Sequence, residues 1–394
     1  MPGPGTNEMR TPPVTVRLFH TLPGERRVSM ETYACRLAAA IRSLAPEDIR
    51  LEEHFPREVL PRWLARVPGG DGPVRHLNRY AGYQWAARGL DAGVNHVVDH
   101  GYGHLLFSLS PARSVVTFHD AMLLRLKERA LPTTWYPRWT IWGHELSLRA
   151  IRRAARVIAD SDSSRRDLLY HLDYDPHRVV VVYPGVDDAF RPVTDSAALA
   201  DARRRYGLDP EDRLLLHVGH CGFYKNVEAI LQALALLRDC PTVRCRLVKV
   251  GEGFTPRQAR LIQSLGLEGR VRHLGWVGRE DLPLVYALCD VLVFPSFYEG
   301  FGLPPLEAFA CGTPVVTTEA GSLPEVVGDA AQVVDPASPE EIAGAVRRVL
   351  EDEALRSRLV ARGLERAKDF SWRRTARDTL AVYRDVYKEA TADG

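Results

Sequence analysis

Short β-branched runs alternate with longer stretches whose apolar residues recur every three to four positions, from one end of the chain to the other. Strands buried on both faces read as continuous apolar runs, and the segments between them carry the 3.6-residue helical period, so the pattern predicts doubly wound parallel sheets. In the first half the strand candidates are residues 14–19, 95–99, 114–120, 156–160 and 178–183. In the second they are 213–219, 244–251, 271–277, 291–296, 313–318 and 331–335. Between the two sets, "GVDDAFRPVTDSAALADARRRYGL" is polar and carries Pro192, which places a hinge near Arg191. The expected architecture is α/β, with Rossmann-like domains at 1–190 and 191–370 and a C-terminal helix at 371–394 that packs back on the first domain. In open sheets of this kind ligands bind beyond the C-terminal ends of the strands, so the residues that directly follow each strand become the candidates.

Length agrees with this reading, because 394 residues exceed what one hydrophobic core usually organises. Apolar content of 45% and charged content of 26% are ordinary for a globular chain, and no apolar run approaches the ~20 residues that span a bilayer. The opening "MPGPGTNEMRTPP" lacks the apolar core of a signal peptide, so a disordered lead and a cytoplasmic protein are expected. The six cysteines (35, 221, 240, 245, 289 and 311) show no metal spacing and read as buried thiols. A net charge of +2 argues against nucleic acid as a partner. Residues 1–192 hold 26 Lys+Arg against 21 Asp+Glu, and 193–394 hold 26 against 29, so the N-terminal half is the more basic.

The stretch "SFYEGFGLPPLEAFACGTPVV" (296–316) follows the apolar "DVLVF" and carries two carboxylates, Glu299 and Glu307. Pro304 and Pro305 suit the first turn of a helix that Gly312 ends, while Gly300 and Gly302 allow close backbone approach. Two acceptors beside a row of helix-start N–H groups suit a polyol such as a sugar or ribose. Singly, each glutamate also reads as a solvated loop residue or a dipole-favoured helix start. In "LLLHVGHCGFYKNVEAI" a strand leads through a turn to Lys225 and Asn226 at a helix start, a combination that neutralises a diphosphate. His119 and Asp120 close the strand "VVTFHD", where the pair either serves a ligand or caps the next helix. Asp160-x-Asp162 reads as the flank of a capping box, Ser164-x-x-Asp167, rather than as a metal site. Gly101-x-Gly103 and Gly251-x-Gly253 are incomplete dinucleotide fingerprints, although Gly251 to Phe254 follows a strand and borders a base in this reading. Trp135, Trp139, Trp142 and Leu146, with Arg138, Arg149, Arg152, Arg153 and Arg156 nearby, form either a core helix with a basic face or a peripheral membrane contact.

The segment "FPSFYEGFGLPPLEAFACGTPVVTTEAGSLPEVVGDAA" resembles the Glu-x7-Glu signature of retaining GT-B glycosyltransferases of family 4. The likeness continues in "VIADSDSSRRDLLYHL", "VVVVYPGVD", "LLLHVGHCGFYKNVEAILQAL" and "RGLERAKDFSWRRTA", covering about residues 95 to 388, and is strongest to the mannosyltransferase-like members. It implies transfer of a hexosyl group from a nucleoside diphosphate sugar, GDP-mannose by preference, to a glycan, lipid-linked or small-molecule acceptor, without an essential metal or other cofactor. It further implies that Glu307 holds the ribose, that Glu299 with the backbone of Gly300, Phe301 and Gly302 meets the sugar and its phosphate, and that Lys225 stabilises the leaving diphosphate. Gly219, His220 and Gly251 complete the implied donor site, and His119 is implied against the donor sugar. Two departures stand out: His220 replaces a common arginine, and the turn after the first strand has only Gly24, with Ser29 as the expected helix cap and Arg26 and Arg27 beside it. A sugar-nucleotide epimerase and a catalytically silent relative are the rival readings.

Overall fold

The computed structural model describes residues 12–25, 28–60, 71–128, 138–238 and 244–392. The N-terminal lead, Arg26, Arg27, Trp135 and Cys240 lie outside them. By their contacts the residues divide into two units, one comprising the chain up to Asp160, Arg165–Tyr183 and Trp372 onward, the other Ser161–Ser164 and Pro184–Ser371.

The first unit holds six parallel strands: β1 (Val14–Phe19), β2 (Ile49–His54), β3 (Val94–Val97), β4 (Ser114–Phe118), β5 (Arg156–Ala159) and β6 (Val179–Val181). Their order is β2-β1-β3-β4-β5-β6. Apolar residues cover both faces of this sheet, with Phe19, Val97, Val116 and Ile151 in one cluster and Leu18, Leu37, Ile41 and Val115 in another. The helix Trp372–Ala392 belongs to the second cluster through Ala376, Leu380, Tyr383 and Val386. There the Tyr383 hydroxyl lies 2.6 Å from the Nδ1 of buried His96.

The second unit holds β7 (Arg213–Val218), β8 (Cys245–Val250), β9 (Val271–Gly275), β10 (Val291–Phe294), β11 (Val315–Thr317) and β12 (Gln332–Val333), again all parallel. Their order, β12-β11-β10-β7-β8-β9, reverses direction between β7 and β10. That reversal opens the crevice in which doubly wound sheets bind ligands, so the loops after β7 and β10 flank it.

Two local expectations need correction. The helix expected to open at Ser164 spans Asp162–His171, and its first turn is capped by Ser161, whose hydroxyl accepts the Ser164 N–H at 2.9 Å. Asp167 instead takes the Arg125 guanidinium, with Nε 3.1 Å from Oδ2. Ser29 lies within the helix Val28–Leu44 rather than ahead of it.

Candidate active site

The loop after β10 is shaped by backbone requirements. Gly302 has φ +105° and leads into the helix Leu303–Cys311, which Gly312 ends at φ +77°. Gly321 packs so closely on this loop that a Cβ there would sit 2.3 Å from the Glu299 carbonyl oxygen. The next residue, Ser322, donates its hydroxyl to the carbonyls of Phe301 at 2.6 Å and Glu299 at 3.2 Å. The Glu299 backbone is thereby fixed from below.

The turn after β7 is fixed from the same strand end. Asn226 takes the left-handed conformation at φ +56° and donates its amide to the carbonyls of Pro295 at 3.0 Å and Pro336 at 2.6 Å. The Phe297 N–H donates to the Tyr224 carbonyl at 2.8 Å. These bonds bring Lys225 to Glu299, whose carboxylate oxygens lie 2.7 and 3.0 Å from Nζ. Both side chains are about nine-tenths buried, and the ammonium also sits 4.8 Å from the Phe294 ring centroid. A buried pair of this kind adds little net stability, but removing one partner strands the other and costs about 3–5 kcal/mol.

Glu307 lies on the helix Leu303–Cys311 and accepts the Tyr286 hydroxyl at 2.7 Å. Burial pushes its carboxyl up, against the pull of the Tyr286 hydrogen bond and of Arg279. His220 lies against Tyr224 and accepts the Gly222 N–H at 3.1 Å. Burial, reinforced by the Lys225 charge, depresses its imidazole to about 4, so His220 is neutral at pH 7. Gly219 (φ +139°) and Gly251 (φ +101°) meet backbone to backbone, because a Cβ on Gly251 would fall 2.5 Å from the Gly219 carbonyl oxygen.

In the first unit His119 is held at both ring nitrogens. Nδ1 lies 2.5 Å from Asp160 Oδ2 and Nε2 lies 2.8 Å from the Val98 carbonyl. Burial opposes the imidazolium, but the Asp160 charge and hydrogen bond outweigh it and raise the ring to about 9. Asp120 does what a capping residue does, accepting the Met122 N–H at 2.9 Å. The turn after β1 uses tyrosines in place of glycines: the Tyr102 hydroxyl accepts the Leu22 N–H and the Tyr83 hydroxyl donates to the His20 carbonyl.

Residues 200–366 match the family described as glycosyl transferases group 1, and residues 30–190 match Glycosyltransferase Family 4. The O-antigen chain mannosyltransferase B of Escherichia coli is 34% identical over 303 residues, covering 76% of each chain. The chain belongs to the family 4 glycosyltransferases. A D-inositol 3-phosphate glycosyltransferase from a Nocardioides species is 39% identical over 85% of this glycosyltransferase and 72% of its own length. Among solved structures, the sucrose-phosphate synthase of Thermosynechococcus elongatus superposes with a TM-score of 0.71 at 20% identity, over 95% of this chain and 99% of that one. Anabaena HepE in complex with UDP and glucose gives 0.69 at 18% identity, over 94% and 100%. At these identities the likeness shows the GT-B fold alone.

Several residues of this glycosyltransferase that shape the site escaped the sequence reading. Tyr286 reads as core, and only its hydroxyl marks it; Ser322 and Gly321 sit inside the quoted signature without an evident role. The tryptophan-rich segment forms the helix Arg138–Ile151, which buries Ser147, Leu148 and Ile151 and exposes Trp142 and Arg149. Gly103 packs against it, since a Cβ there would lie 2.4 Å from the Ser147 carbonyl oxygen. No helix among the described residues is long and apolar enough to cross a membrane.

Proposed function

We propose that this glycosyltransferase moves a hexosyl group, mannosyl by preference, from a nucleoside diphosphate sugar to an acceptor hydroxyl with retention of configuration. The observation that carries the reading is the buried Lys225–Glu299 pair at the switch point of the second sheet, with Glu307 on the helix that follows the same loop. Lys225 meets the diphosphate, Glu307 the ribose, and Glu299 the transferred sugar. The relation to the E. coli mannosyltransferase supports a mannosyl group, and GDP-mannose is the donor we infer. Acceptors of the glycan, lipid-linked or small-molecule type remain in view, the last because relatives include D-inositol 3-phosphate glycosyltransferases.

In this mechanism the bond from the anomeric carbon to the phosphate oxygen breaks, and the acceptor oxygen attacks from the same face. Its proton passes to the departing phosphate oxygen, so no protein nucleophile takes part. Lys225 and backbone N–H groups stabilise the charge that develops on the diphosphate, without an essential metal. His119 positions the sugar as a fixed cation rather than by exchanging a proton, because both of its ring nitrogens face acceptors.

The test is calorimetric binding of GDP, UDP, ADP, GDP-mannose, UDP-glucose and UDP-N-acetylglucosamine to the wild type and to Glu307→Ala. A preference for one nucleotide, lost in the variant, is expected. Equal binding of all six by both proteins would overturn the donor site. The anomeric configuration of the product, read by NMR, then decides retention.

A further inference from the structure

A lysine in the middle of a parallel strand is unusual, and Lys249 on β8 is fully buried. Its ammonium donates to three backbone carbonyls, those of Gly219 at 2.5 Å, Val250 at 2.9 Å and Glu252 at 3.1 Å. Gly219 and Glu252 belong to the loops after β7 and β8, so one cation gathers two loops of the donor side. Lys225, the other cation here, is already neutralised by Glu299, whereas the hydrogen bonds of Lys249 go to carbonyls and to no carboxylate. Gly219 is the residue between them, since a Cβ built on it would lie 3.9 Å from Lys225 Cε. The Glu252 carboxylate acts on the ammonium through its field without accepting one of these hydrogen bonds, and a buried charge compensated in this way remains costly until a further anion arrives. A carbonyl that accepts from a cation also polarises the peptide it belongs to, which strengthens the N–H on its far side, here that of His220.

We propose that Lys249 is a positioning residue of the diphosphate site, a buried second cation that acts through the Gly219–His220 peptide on the phosphates beside Lys225. The inference rests on the donor reading above. Burial holds the Lys249 ammonium below the ordinary lysine value of 10.5, with Cys221, Glu252 and Lys225 as its charged or titratable neighbours and His217 and His220 within its field.

The experiment compares GDP with guanosine, or UDP with uridine if that base is preferred, by calorimetry on the wild type, Lys249→Met and Lys249→Gln. The diphosphate's advantage over the nucleoside is expected to fall about tenfold in both variants, with nucleoside affinity unchanged. Glutamine keeps a donor without the charge, so full advantage in Lys249→Gln would reduce Lys249 to a backbone tie and overturn the proposal. Loss of nucleoside binding in parallel would do the same. Should neither variant fold, the wild type decides: its diphosphate advantage should begin to decline below pH 10.5, and a level profile up to that pH overturns the proposal. A wild type with no preference for diphosphate over nucleoside would sink the donor reading itself, which keeps the two failures distinct.

Discussion

Each of the two sheets carries a buried ion pair beyond its strand ends, and the two pairs differ in what they leave available. His119 points one ring nitrogen at a carboxylate and the other at a carbonyl, so both N–H groups are taken by the protein. Lys225 directs its hydrogen bonds to the two oxygens of one carboxylate, although an ammonium has three donors. The first pair is closed by the protein, and the second leaves one ammonium donor outside the carboxylate, where the proposed diphosphate would meet it. Similar residue types, histidine or lysine with an acid, thus form a fully satisfied cation in one place, proposed to position the sugar, and a partly satisfied one in the other, proposed to meet the diphosphate. The difference lies in how many donors the protein itself satisfies.

The strongest way to break this comparison is to remove Glu299. Glu299→Ala should lower the rate of transfer at least about a hundredfold, measured as initial rates with saturating donor. It should also destabilise the fold by about 4 kcal/mol in urea unfolding, because Lys225 is left as an uncompensated buried charge. A variant with normal rate and stability would show the pair to be ornamental.

The closed pair makes a prediction about pH. His119 is raised from 6.5 to about 9, so its contribution is complete below pH 6.5 and is lost as pH rises through 9. Urea midpoints should therefore fall between these limits, by on the order of 3 kcal/mol in unfolding free energy. Asp160→Asn removes the partner that outweighs burial, so the alkaline loss should disappear and the ring should titrate below 6.5 by NMR. A slope unchanged in Asp160→Asn would assign the pH dependence elsewhere.

The same contrast explains what the sequence made legible. Glu299 and Lys225 were each visible because they lie in the loops that follow strands, but their contact joins residues 74 positions apart, which no local period encodes. Lys249 went unremarked because it lies inside the strand "RLVKVG" rather than after it, and only the three carbonyls around its ammonium mark it. β2 was missed because "IRLEEH" has no apolar run. It is an edge strand, and Ile49 is its one buried residue. Its charges are used locally, with Arg17 Nη2 2.7 Å from Glu52. Strands buried on both faces announced themselves, whereas the polar edge did not.

Smaller effects sharpen the open side of the comparison. Glu307→Ala should weaken nucleoside diphosphate binding about tenfold, and Tyr286→Phe, which removes only the hydroxyl that orients Glu307, about threefold. Equal losses in the two variants would mean that the tyrosine, not the acid, meets the nucleotide. His220 should matter least through its charge. With its imidazole depressed to about 4, it carries no proton to lose between pH 6 and 8, so donor affinity across that range should show no histidine titration from this position. Replacing it by arginine adds a permanent cation next to Lys225 and should tighten diphosphate binding several-fold at low salt, with the gain fading as salt screens it. A His220→Gln variant that altered the pH profile between 6 and 8 would show that the imidazole is charged after all, and the site would then hold a third cation rather than the two, Lys225 and Lys249, on which the reading depends.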